Sequence, residues 1–405
     1  MGWVEKQTTI GELEQLGAIL AIQDGNHGND HPKATEYVER GIPFIMASDV
    51  CHDTINLEGA KKLPFERTEK LRVGFALPGD VLLTHKGSVG RVAIVPDVDP
   101  YIMLTPQVTY YRVNSAILDR GFLSHSFRSP QFQAQLDSDS AQSTRAYIGI
   151  TAQRKLRIPF PPLPIQRRIA GILSAYDDLI EVNMRRIKAL EEMSRRTYEE
   201  WFGKPGDIPT AKLAELAELV MGQSPKSDFY NARGDGMPFH QGVSNFGEFY
   251  PTHKLFSTVG NREAKKGDIL FSVRAPVGRI NVAPSSMIVG RGLAAIRSKN
   301  GRQAFLLSAL KHEFSEEDKI GNGAIFKAVT KSDMQNIELP NPPDAELLTA
   351  EPIFASYWGQ VGNLVNQNTN LRTQRDLLLP RLVSGAIDVS EAEAILPETA
   401  EVPAE

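Results

Sequence analysis

The amino-acid sequence predicts an α+β chain in which two β-rich domains are separated by a long antiparallel pair of coiled-coil helices, with an internal pseudo-two-fold repeat. Three observations predict it: a gapless repeat within the chain, a proline-rich hinge that recurs in each half, and a heptad seam after each hinge. At 405 residues with 41% apolar side chains, the chain is large enough to build more than one core.

The repeat comes first. Gly79-Asp80-Val81-Leu82-Leu83, Val89-Gly90-Arg91-Val92 and Pro96 recur as Gly267-Asp268-Ile269-Leu270-Phe271, Val277-Gly278-Arg279-Ile280 and Pro284, at a constant offset of 188 residues. Ile42-Pro43-Phe44 matches Met237-Pro238-Phe239, and Ile158-Pro159 with Pro161-Pro162 matches Leu339-Pro340 with Pro342-Pro343. Short runs rich in β-branched residues, among them Val81–Thr84, Gln107–Val113 and Ile269–Val273, are broken by Gly, Pro, Asn and Asp and read as strands.

The hinges follow, Pro159 to Pro164 and Pro340 to Pro343. Proline fixes φ and removes a donor, so each hinge ends a β unit. After the first hinge, Ile169, Leu173, Tyr176, Ile180, Ile187, Leu190 and Trp201 fall on a 4-3 spacing, with Asn183, Ser194 and Thr197 filling the remaining places. Such a seam over 38 residues spans roughly 57 Å at 1.5 Å per residue. After the second hinge the spacing returns at Phe354, Tyr357, Val361, Leu364, Asn368, Leu371, Leu378 and Leu382, with Arg375 interrupting. A polar residue in a seam fixes register at some cost in stability, a role that suits Asn183 and Asn368. The expected boundaries are 1–160 and 204–345 for the β-rich domains, 161–203 and 346–387 for the helices, and 388–405 for an acidic tail expected to be disordered.

The net charge is −4, but the six acids of the tail leave the rest of the chain at +2. Ten Lys and Arg against two acids lie between Lys254 and Arg302, a density that suits phosphate contacts. No run approaches the 18 apolar residues of a membrane span, and Met1 to Lys6 carries no apolar leader, so no membrane association and a cytoplasmic location are expected. The single Cys51 excludes an intramolecular disulfide and a cysteine-cluster zinc site.

Enzyme motifs are lacking. There is no Gly-rich nucleotide loop ending in Lys-Ser or Lys-Thr and no His-Glu-x-x-His pair. Asn341-Pro342-Pro343-Asp344 approaches an adenine methyltransferase signature, but Asp344 stands where an aromatic must stack on the extruded base. Asp97 and Asp99 sit in a Pro-bounded turn, Asp177 and Asp178 read as a solvated helix face, and His27 and His31 lack further ligands nearby. No metal site and no bound cofactor are expected.

Sequence-specific DNA binding fits better, because it needs Arg and Lys for guanine, Asn and Gln for adenine, and phosphate contacts for affinity. The turn between the repeated strands carries His85-Lys86-Gly87-Ser88 in one half and Arg274-Ala275-Pro276 in the other, a constant frame with different content. The candidate DNA-binding residues are Asn26, His27, Lys33, Ser48, Lys86, Ser88, Arg145, Arg233, Gln241, Ser244, Arg274, Arg291 and Lys327, with His240 and Asn245 beside them.

The run from Pro161-Pro162-Leu163-Pro164-Ile165-Gln166-Arg167-Arg168 through Ala175-Tyr176-Asp177-Asp178-Leu179-Ile180-Glu181 resembles the central region of type I restriction–modification specificity subunits. Gly321 to Lys327 and Leu378-Leu379-Pro380-Arg381-Leu382-Val383-Ser384-Gly385 resemble that family's distal stretches. The resemblance implies a non-catalytic subunit that reads a split sequence in double-stranded DNA, one part per target-recognition domain, with the helices as the ruler of the gap. It implies as partners two methyltransferase (modification) subunits, docked on the helices, and two motor–nuclease (restriction) subunits. S-adenosylmethionine, ATP and Mg2+ are expected on those partners. The alternatives are the specificity part of a fused restriction–methylation enzyme, marked by a methyltransferase domain ahead of Trp3 where this chain starts at Met1, and a stand-alone DNA-binding protein.

Overall fold

A computed structural model of the chain describes residues 7–51, 53–140, 147–203, 208–315, 319–320, 324–325 and 328–389. Arg145, Lys327 and the acidic tail beyond position 389 lie outside the described residues. The chain forms two compact units, Met1–Asp178 with Leu371–Glu405, and Leu179–Asn370. Both mix helix and sheet, and the α+β class with two recurring units is the observed architecture.

In the first unit, Ile19–Asp24, Val108–Val113, Val81–Thr84 and Val92–Ile94 lie in that order in an antiparallel sheet. Its period-2 pattern carries no polar face, because both faces are covered. Val81, Leu83, Val92 and Tyr111 pack with helix residues such as Phe122, Ile169 and Leu173, while Leu82, Ala93 and Tyr110 join Ile45, Ile102 and Leu104 from a second sheet. That second sheet has the order Lys61–Leu63, Ile42–Ile45, Ile102–Leu104, Phe75–Ala76, its two central strands parallel.

The second unit repeats the plan. Ala217–Met221, Leu293–Ser298, Ile269–Ser272 and Ile280–Val282 form its antiparallel sheet, with Ile269 and Phe271 on the helix side and Leu270 on the other. Met237–His240 and Met287–Val289 pair in parallel, as their counterparts do.

The repeat extends to single atoms. Arg112 forks onto Asp80 with Nε and Nη2 at 2.9 and 2.7 Å, and Arg297 onto Asp268 at 2.7 and 2.6 Å. The Thr84 hydroxyl donates to the Ser88 carbonyl and accepts from the Arg91 amide, and Ser272 does the same with Pro276 and Arg279. These side-chain bonds close the turn that carries Lys86 in one unit and Arg274 in the other.

Two 40-residue helices, Leu163–Phe202 and Asp344–Val383, contribute to both units. Within the first unit Ile169 and Leu173 share a core with Leu379, Leu382 and Val383. Within the second, Asn183 meets Asn368, and Tyr198 and Phe202 meet Phe354, so the helices run antiparallel there. Two positions depart from the expected pattern. Trp201 is 39% exposed, and Tyr198 and Phe202 are buried in its place, because a third helix, Gln303–Glu313, packs Phe305 against that side. Asp177 is not a solvated carboxylate but accepts from Arg128 and Arg375 at 3.0 and 2.6 Å.

Candidate nucleic-acid interface

Each unit gathers its recognition-candidate loops around the ends of its two sheets. In the first, the strand Ile19–Asp24 ends against the neighbouring sheet, where only a residue without Cβ fits. A Cβ on Gly25 would stand 1.9 Å from the Leu104 carbonyl oxygen. The chain then turns, and Asn26 is buried at 5% exposure with its amide donating to the Val73 carbonyl at 2.6 Å. His27 stays exposed with Nε2 2.9 Å from Asp24 Oδ2. His85 backbone bonds tie the neighbouring segments together, its amide donating to Gln107 at 2.9 Å and its carbonyl accepting from Ile148 at 3.0 Å. The Gln107 side chain accepts from the Ala47 amide at 3.2 Å, which brings in the exposed Ser48. Lys86 and Ser88 are exposed on the turn, with the Lys86 Nζ 6.0 Å from the centre of the Tyr147 ring. Lys33 is exposed, and its amide donates to the Glu36 carboxylate in a separate short turn.

The His85 ring is fully buried at the end of a chain of side chains. Tyr111 donates to the Gln153 carbonyl oxygen, and Gln153 Nε2 donates to Thr109 Oγ1 at 3.1 Å. The Thr109 hydroxyl lies 2.7 Å from His85 Nδ1. The other ring nitrogen, Nε2, lies 3.8 Å from Asp24 Oδ2. Burial holds the His85 pKa down at about 4, so the ring is neutral at pH 7.

In the second unit, Ser224 is the centre of the corresponding loops. Its hydroxyl donates to Gln241 Oε1 at 3.1 Å and accepts from the Arg291 amide at 3.2 Å. Gly292 donates to the Gln241 carbonyl, and Val273 to the Gly292 carbonyl, which sets Arg274 beside this group. Gly222 precedes it for the same reason as Gly25, since a Cβ there would fall 2.1 Å from the Gly290 carbonyl oxygen. Gln241, Ser244, Arg274 and Arg291 are exposed and Asn245 is half-buried. His240 is buried, with Nε2 2.9 Å from His253 Nδ1, and burial lowers its pKa to about 4. Arg233 is exposed in a different turn, paired with Asp235 at 3.2 Å.

The fold thus brings together His27, Ser48, Lys86 and Ser88 in one unit and Gln241, Ser244, Arg274 and Arg291 in the other. Lys33 and Arg233 are held in turns of their own. Lys86 and Arg274 occupy the same place in the repeat, each in an isolated bridge to a later segment, at Tyr147 and Ala328. Sequence reasoning did not single out Asp24, Gln107, Tyr147 or Ser224. Of these only Asp24 left a trace, as the first of the turn-forming residues Asp24-Gly25-Asn26. Among the described residues no group of three or more His, Cys, Asp or Glu is placed to hold a metal ion, and no helix is long and apolar enough to cross a membrane.

The sequence model of the type I restriction modification DNA specificity domain matches the chain twice, at residues 15–192 and 205–351. The chain is 30% identical to the type I restriction enzyme MjaX specificity subunit of Methanocaldococcus jannaschii, over 84% of this chain and 86% of that one. It is 23% identical to the MjaIX specificity subunit of the same organism, over 95% and 97% of the two chains. The crystal structure of a type I restriction–modification S subunit from M. genitalium shares the fold, with a TM-score of 0.56 at 15% identity over 93% of this chain and 96% of that one.

Proposed function

We propose that this chain, which belongs to the type I restriction modification DNA specificity family, reads a DNA sequence in two separated parts, one with each unit. The observation that carries this reading is the pair of loop clusters built on one repeated frame. The Asp80–Arg112 and Asp268–Arg297 forks and the Thr84 and Ser272 turn bonds are common to both. The side chains presented beside them differ. A constant scaffold with divergent loops is what two readers of different base sequences require, since base edges carry the sequence information and phosphates only the register.

On this reading the two 40-residue helices set the unread gap between the parts and dock two methyltransferase subunits, and two motor–nuclease subunits join them. The chain itself does no chemistry. S-adenosylmethionine, ATP and Mg2+ act on the partner subunits.

The test is to co-express the chain with its modification subunit and map methylated adenines at single-base resolution. The expected result is a two-part motif with a constant gap. Exchanging residues 10–150 for the matching segment of another specificity subunit then changes one part only. A continuous motif, or a change in both parts after the exchange, refutes the two-reader function.

A further inference from the structure

We infer that Asp24 is the base-reading group of the first unit and that it accepts a hydrogen bond from the exocyclic amino group of a cytosine in the major groove. This inference deepens the two-reader function and rests on it.

Asp24 stands at the point where strand Ile19–Asp24 gives way to the loop cluster, and its side chain is 17% exposed, on the edge that carries Lys86 and Ser48. One carboxylate oxygen, Oδ2, receives His27 Nε2 at 2.9 Å and faces His85 Nε2 at 3.8 Å. Among the described residues no hydrogen bond reaches the other oxygen, Oδ1. The position of the carboxylate is therefore fixed through one oxygen while the second keeps its lone pairs for a ligand.

The support behind it is built. The Tyr111–Gln153–Thr109–His85 chain fixes the buried imidazole through Nδ1, and Nε2, which has no hydrogen-bond partner among the described residues, faces Asp24. His27 is thus the positioning residue that holds the carboxylate through Oδ2, with the buried His85 ring behind the same oxygen.

The chemistry of a carboxylate narrows its partner. It accepts hydrogen bonds only. On the major-groove edge, adenine offers N6 as donor but N7 as acceptor, and guanine offers two acceptors. Cytosine presents its N4 amino group with no acceptor beside it, and is the base whose edge suits Asp24. In the second unit the gathered group is Gln241, Arg274 and Arg291, which supplies donors instead.

The experiment assembles the full chain with its modification subunit and measures methylation on a duplex library in which each base pair of the first half-sequence is varied in turn. Wild type is expected to require a cytosine at one position, by roughly tenfold or more. Asp24→Asn, which keeps the shape but adds a donor, is expected to lose that preference and to favour adenine there, because an amide pairs with N6 and N7 together. His27→Ala, at an exposed side chain, is expected to weaken the cytosine preference in part while the second half-sequence is read as before. Cytosine preference retained in Asp24→Asn, or a loss spread evenly over all positions in either variant, overturns the inference. If wild type shows no split motif at all, the two-reader function falls, and that outcome is distinct from the failure of Asp24 within an intact split motif.

Discussion

Asn183 donates from Nδ2 to Asn368 Oδ1 across 2.9 Å, and both side chains are buried between the long helices of the second unit. Each amide is the other's main partner in a seam otherwise filled by Ile180, Ile187, Val361 and Leu364. Replacing one by Leu leaves a buried amide without its mate. Asn183→Leu is expected to destabilise the chain by about 1–3 kcal/mol, and the double replacement by Leu to recover most or all of that loss. Denaturant unfolding of the two variants checks this. Methylation motifs from the double variant with more than one gap length would reveal lost register.

Arg375 occupies a seam place that the heptad pattern reserves for an apolar residue, and the first unit uses it electrostatically. Its Nη1 lies 2.8 Å from Asp53 and 2.6 Å from Asp177, and Arg128 faces the same two carboxylates at 2.9 and 3.0 Å. Arg375→Met removes one of two cations from a partly buried pair of acids. The expected cost is about 1–3 kcal/mol, below that of a fully buried pair because each group keeps some contact with water. Unfolding at low and at high salt tests it, since a partly buried network loses less to screening than exposed pairs do.

Gly25 and Gly222 each sit where a backbone carbonyl leaves no room for Cβ. Gly25→Ala is expected to displace the loops around Asp24 and impair reading of one half-sequence, and Gly222→Ala to do the same to the other. Methylation on libraries varied in one half at a time separates the two. Equal damage to both halves from either substitution would contradict the assignment of one edge to each unit.

His85 and His240 are both buried with pKa values lowered from 6.5 to about 4. The unfolded chain then binds more protons than the folded one between those values, so stability is complete above about pH 6.5 and is lost as the pH falls toward 4. Burial also places His125 well below the usual range, so it acts in the same direction. Denaturant midpoints measured from pH 7.5 to 4.5 should fall, and His85→Gln should flatten the slope.

Arg274 is exposed at the place in the repeat where the first unit has Lys86. If it reads guanine through its two-pronged guanidinium, Arg274→Ala costs about 1–3 kcal/mol at one base pair of the second half-sequence and leaves the others strict. A uniform loss of affinity, with a shallower dependence on salt, would mark a phosphate contact instead.

Much of this was legible in one dimension because it depends on spacing. The 188-residue offset from Gly79 to Gly267 preserved the strand, the turn and the carboxylate that receives the arginine fork. Heptad spacing located the helices and both seam asparagines. What spacing could not supply was direction and company. Asn26 and His27 are neighbours in sequence, yet one is buried against Val73 and the other is exposed beside Asp24. Trp201 kept the heptad rhythm and still faces outward, because Phe305 arrives from a helix that the seam pattern does not contain.

The sequence by itself determined that the chain holds one unit twice, that hinges and long helices follow each copy, and that the family is one of DNA specificity. Local chemistry suffices for the hinges and helices, since proline ends a strand and 4-3 spacing makes a stripe wherever they occur, while the family was legible as a resemblance in the run from Pro161 to Glu181. Only the tertiary structure decided which loop residues share an edge. Asp24, His85 and Gln107 come from distant strands and meet through backbone bonds between sheets, so their joint geometry exists only once both sheets have formed.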